Sequence, residues 1–77
     1  MTLVESILEA VASGCSVDFR SNRGVVFVEV RKPVGDEVRV CSRGVGPYEL
    51  TRMAIGPDYV LADAVQSTTR AVLEPKP

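Results

Sequence analysis

The chain contains no histidine and no tryptophan, and it has only two cysteines and two phenylalanines. The missing histidine removes the commonest general base, the usual imidazole metal ligand and the side chain that switches charge near neutral pH. A structural zinc site needs four ligands drawn mostly from Cys and His, and only Cys15 and Cys41 could contribute. Those two cysteines are too far apart in sequence for a redox CxxC pair and too few for a secreted disulfide framework, so a reducing compartment is expected. Long apolar runs are missing as well. The longest stretch of large apolar residues is Val25-Val26-Phe27-Val28, far below the roughly 20 needed to span a bilayer. The first residues carry Glu5 and Glu9 and no base, unlike a secretion signal. A soluble, cytoplasmic protein is expected.

What is present suits one small folded domain over residues 1–77. Hydrophobic residues make up 45% of the chain and charged residues 25%, too apolar a balance for intrinsic disorder. At this length folding hides only about 60% of the unfolded surface, so a partner subunit would add useful burial.

The first expected element is a helix. Thr2 and Glu5 are spaced as a capping box, Leu3, Val4, Ile7, Leu8 and Val11 form an apolar stripe, and Gly14 suits a left-handed end. From Cys15 the period becomes two: Cys15, Val17 and Phe19 alternate with Ser16, Asp18 and Arg20. Ser21-Asn22-Arg23-Gly24 reads as a turn, Val25 to Arg31 as a second strand, Lys32-Pro33-Val34-Gly35-Asp36 as another turn, and Glu37 to about Ser42 as a third strand. Arg43 to Pro47 is a loop, residues 48 to 55 lean to a short helix with Leu50 and Met53 or Ala54 inward, and Gly56-Pro57-Asp58 opens a last helix. Leu61, Ala64, Val65, Thr68 and Val72 make its inward stripe, and Pro75 ends it. The fold class is α+β: a three-stranded antiparallel meander with an N-terminal and a C-terminal helix packed on one face.

The two turns imply a register. A four-residue first turn pairs Arg20 with Val25, Asp18 with Phe27 and Val17 with Val28. A five-residue second turn pairs Arg31 with Glu37, Glu29 with Arg39 and Phe27 with Cys41. Both turns then agree on an inner face of Cys15, Val17, Phe19, Val26, Val28, Val30, Val38 and Val40.

Charge is uneven although the net value is −1. The segment from Arg20 to Arg43 holds an excess of cations, the rest of the chain an excess of acids. The register neutralises Arg31 on Glu37 and Arg39 on Glu29, leaving Arg20, Arg23, Lys32 and Arg43 unpaired. The candidate partner-binding surface is therefore the outer sheet face: Phe27, Val25 and Cys41 as a small apolar patch, Arg20, Arg43 and Arg23 as its cationic rim, and Tyr59 as a second exposed anchor. The competing reading is that Phe27 packs under a loop or terminus. Cys41 reads first as a small strand residue, and Cys15 as facing the other side of the sheet, so no disulfide joins them. Gly44-Val45-Gly46-Pro47 lacks the Lys-Ser/Thr ending of a phosphate loop. Asp58 and Asp63 fall about 140° apart on a helix and form no acid pair. No catalytic residue, cofactor or metal is assigned.

The order of helix, three strands and helix resembles the double-stranded-RNA-binding domain in topology. That family binds phosphate through a lysine-rich start to its last helix, whereas this helix opens Gly56-Pro57-Asp58-Tyr59 and contains one base, Arg70. The abundance of valine, the excess of arginine over lysine, and the run Asp58-Tyr59-Val60-Leu61-Ala62-Asp63-Ala64-Val65 after an Arg-rich hairpin and Leu50-Thr51-Arg52-Met53 resemble small accessory proteins of actinobacteriophages. That resemblance spans roughly residues 15 to 72 and carries no known functional position. It implies an accessory protein acting in the host cytoplasm. The expected function is a noncatalytic protein-interaction module that binds a host or phage protein and self-associates as a homodimer or higher oligomer through the outer sheet face. The alternative is a weak nucleic-acid binder through the same Arg-rich face.

Overall fold

The computed structural model describes residues 2–52 and 56–74. In chain order these form α1 (Leu3–Ala12), β1 (Ser16–Asn22), β2 (Val25–Val34), β3 (Glu37–Val45), α2 (Pro47–Arg52) and α3 (Pro57–Leu73). The strands make one antiparallel sheet in the order β1-β2-β3. With the two long helices on one face of it, the chain has the expected α+β architecture. Of residues 48 to 55, those up to Arg52 continue the helix begun at Pro47, and Leu50 packs against the core; Met53 and Ala54, like the expected stop at Pro75, lie outside the described residues.

The caps follow the sequence. Thr2 Oγ1 accepts from the Glu5 N–H at 3.1 Å, and the Thr2 N–H donates to Glu5 Oε1 at 3.1 Å, closing the capping box. The Thr2 backbone N–H first, and then the Thr2 hydroxyl, hold the Glu5 carboxyl below its ordinary value. Gly14, at φ 85°, turns the chain out of α1.

The strand register departs from expectation at both turns. The first is a two-residue turn with Asn22 opposite Val25, Arg20 opposite Phe27, Asp18 opposite Glu29 and Val17 opposite Val30. Arg23 at φ 53° and Gly24 at φ 81° occupy its centre, the two positive angles of a type I′ turn, whose twist suits the strands it joins. Relative to the expected pairing the strands slip by two residues, which preserves which side chains share a face.

The second turn is also two residues, Gly35-Asp36, with Val34 opposite Glu37. Gly35 takes φ 61°, the position a type II′ turn gives to glycine. Pro33 is thus inside β2, opposite Val38. It costs no hydrogen bond there, because β1 pairing ends at Ser16–Arg31 and leaves the β1 side of Pro33 without a neighbour to bond. Here the slip is three residues, an odd number, so every side chain of β3 changes face. Val38 and Val40, expected inside, are 59% and 53% exposed on the outer face. The Arg31–Glu37 and Arg39–Glu29 pairs do not form.

The core lies between the sheet and α3. Val28, Val30 and Val45 from the strands meet Val60, Ala64, Val65 and Val72 of α3, with Ala10 of α1 and Cys15. Phe19 lies on the same face but at the edge of the sheet, and stays 41% exposed. Because α1 packs beside α3, the helix buries a broader surface than its expected stripe: Val60, Ala62 and Thr69 join Ala64, Val65, Thr68 and Val72, and Leu61 is half-buried.

The most apolar stripe of α1 is not the buried one. Ser6 and Ala10 are enclosed and Leu3 and Ile7 half-buried against the core, while Val4, Leu8 and Val11 are 65%, 62% and 55% exposed. Two helices that run closely side by side accept small residues at the seam, and Ser6, Ala10 and Thr69 meet there. The bulkier residues are turned away.

Candidate protein-interaction surface

On the outer sheet face β2 contributes Val25, Phe27, Glu29, Arg31 and Pro33, flanked by Asp18, Arg20 and Asn22 of β1 and by Val38, Val40, Ser42 and Gly44 of β3. Phe27, 41% exposed, lies over Gly44 of the neighbouring strand. A methyl group on Gly44 would sit 3.1 Å from Phe27 Cε1 and 3.4 Å from Val25 Cγ1, so the missing side chain makes the seat for the ring. Val25 is half-buried beside it.

The charges of this face are largely matched within it. The Arg31 guanidinium donates through Nε to Glu29 Oε1 at 2.8 Å and places Nη2 2.7 Å from the same oxygen. Arg20 reaches the other carboxylate oxygen at 4.0 Å. Asp18 stands directly across from Glu29, and its carboxylate makes no hydrogen bond or ion pair among the described residues.

One member of the expected apolar patch and one of its expected rim are elsewhere. The odd slip puts Cys41 and Arg43 on the helix-covered face. Cys41 is opposite Val30 and packs against the core, and like Cys15 it is a free thiol. The two cysteines therefore share the inner side of the sheet instead of facing opposite sides. Arg43 Nη1 donates to Ser67 Oγ at 3.2 Å and lies 3.8 Å from Asp63 Oδ2, while Arg39 bonds the Glu74 carbonyl. These arginines fasten α3 to β3 and are not available as a rim. Arg23 is at the tip of the first hairpin. Tyr59 is 50% exposed on the first turn of α3, on a separate element from the sheet. The outer face thus brings together Phe27, Val25 and Arg20, and adds Val38 and Val40. Gly35-Asp36 between Val34 and Glu37 was the signal that could have found those two, because Gly-Asp is itself a hairpin turn pair.

A second concavity of about 340 Å³ runs along the seam of α1 and α3, past Ser6, Glu9, Ser13, Arg70 and Leu73. Thr69 borders it with a buried hydroxyl that has no hydrogen-bond partner among the described residues. Among the described residues no group of His, Cys, Asp and Glu is placed to hold a metal ion, and no helix is long and apolar enough to cross a membrane. No protein-family model, curated protein or solved structure matches the chain.

Proposed function

We propose that the chain is a noncatalytic protein-interaction module whose outer sheet face docks an apolar surface of another protein. The observation that supports this reading is the exposure of Val38, Val40 and Phe27 on one face whose central charges, Glu29 and Arg31, already neutralise each other. Solvated sheets normally alternate apolar inside with polar outside, so apolar side chains on the water side of two adjacent strands call for a cover. The accessory role in a host cytoplasm rests on the resemblance of residues 15 to 72 to actinobacteriophage proteins and on the two free thiols. The nucleic-acid alternative has less behind it. Arg31 is occupied by Glu29, Arg43 lies on the other face, and the sequence pI of 5.3 gives no long-range attraction to phosphate.

Capture from host lysate by the wild-type chain, Phe27→Asp and Val40→Asp tests this. Both substitutions should abolish the same captured band while circular dichroism stays unchanged. A captured set indifferent to both overturns the reading.

A further inference from the structure

A second copy of this chain fits a different surface, the free edge of β1 together with the outward flank of α1. β1 is an edge strand bonded only to β2. Asn22 and Val25 flank a two-residue turn and so form a hydrogen-bonded pair, which makes Asn22, Arg20, Asp18 and Ser16 bond inward to β2. Alternation leaves the N–H and C=O groups of Val17, Phe19 and Ser21 pointing away from the sheet. Nothing in the burial of β1 closes that edge, since Val17 alone of its seven residues is even half-buried. An open edge of this kind is a template for another strand.

The sequence of β1 selects one way to pair with itself. Because the outward-bonding residues are odd-numbered, two copies related by a two-fold axis must set odd residues opposite odd residues. Centring the axis on Phe19 pairs Phe19 with Phe19, Val17 with Ser21 and Ser16 with Asn22, so that the whole strand is used. It also sets Asp18 of each copy opposite Arg20 of the other, giving two cross-strand ion pairs. A shift to either adjacent allowed register places Asp18 against Asp18 or Arg20 against Arg20. Like charges directly opposite are destabilising, so the centred register is favoured over both neighbours, and it is the one that uses the whole strand. Asp18 is also the acid that faces Glu29 within its own sheet and has no partner there, and the second copy supplies one.

The helix makes the same choice of side. At 100° per residue the groove-lining residues of α1 (Ser6, Glu9, Ala10 and Ser13) point toward α3, and Val4, Leu8 and Val11 fall about 180° around the axis from them. Leu3 and Ile7 lie between, against the core. The exposed stripe therefore looks away from α3, past β1, which α1 also packs against. A two-fold axis through an antiparallel β1–β1 pair is perpendicular to the sheet, so it brings both copies of α1 to the same face with these stripes toward each other. Phe19, exposed on that face, lies at the axis. The contact joins a seven-residue strand edge to four large exposed apolar side chains, Val4, Leu8, Val11 and Phe19.

We infer that the chain forms a two-fold dimer with a continuous six-stranded sheet, joined by β1 edges in the register centred on Phe19 and closed by Val4, Leu8 and Val11 of the two α1 helices. The inference does not depend on what the outer face binds, because its test reads only the mass of this chain. Sedimentation equilibrium on the wild type should show a dimer. Asp18→Arg and Arg20→Asp, each folded by circular dichroism, should each weaken it roughly tenfold or more, since each sets like charges opposite at both ends of the strand. An equal mixture of the two variants restores both ion pairs and should return the dimer close to wild-type affinity. Leu8→Asp should give a monomer that no mixture rescues. A wild type that is monomeric at millimolar concentration overturns the inference, as does a dimer unaffected by either charge reversal, a mixture no tighter than its components, or a dimer lost only on Phe27→Asp.

Discussion

The two long helices use their apolar residues in opposite ways. α3 is the more polar of the two, yet it is wrapped on two sides and buries threonines and alanines along with its valines. α1 has the cleaner apolar stripe and leaves much of it in water. The difference teaches that burial follows where neighbours stand. α3 lies across β2 and β3 with α1 alongside it, and so has partners on both flanks. α1 has a partner on one flank only, and a close helix seam is made by Ser6 and Ala10 better than by leucine. The unused flank is the one the inferred dimer would cover.

Substitutions can break that contrast. Val65→Ala, at a fully buried site of α3, should lower unfolding stability by about 2 kcal/mol in a urea titration, the transfer of two methyl groups plus a residual cavity. Ala10→Leu should cost about 1 to 2 kcal/mol by overpacking the seam, whereas Leu8→Ala, which cuts an isobutyl side chain back to a methyl on the other flank of the same helix, should change monomer stability by less than about 0.5 kcal/mol. A Leu8→Ala loss equal to that of Val65→Ala would mean the flank is covered within the monomer. A separate effect concerns the start of α1. Thr2→Ala should cost about 1 kcal/mol through the lost cap and should let the Glu5 carboxyl rise toward its ordinary value. Glu5 titrates lower in the folded chain than in the unfolded one, so its contribution is present above the ordinary carboxylate range and disappears as pH falls through the depressed value. The wild type should lose that increment in acid, and Thr2→Ala, which keeps the backbone N–H but lacks the hydroxyl, should show a smaller loss.

The same contrast separates what could be read along the chain from what could not. The capping box at Thr2 and Glu5, the turn out of α1 at Gly14, the period-two strands and the start of α3 at Pro57 are local, each set by residues within one turn of one another. The face of β1 was also legible, because the error in its turn was two residues and side chains repeat every two. Of the candidate site, Phe27, Val25 and Arg20 belonged to that legible part.

Cys41 and Arg43 did not. Their face depended on whether Pro33 begins a turn or ends a strand. Local preference favours the turn, but Pro33 lies beyond the end of β1, where its missing N–H costs nothing, and the shorter Gly35-Asp36 turn reverses the parity of β3. The sequence by itself thus determined the elements, their order and the parity of the first hairpin. Only the tertiary structure decided which side of β3 and which flank of α1 meet water, because a strand's parity and a helix's rotation are set by the neighbours each must pack against.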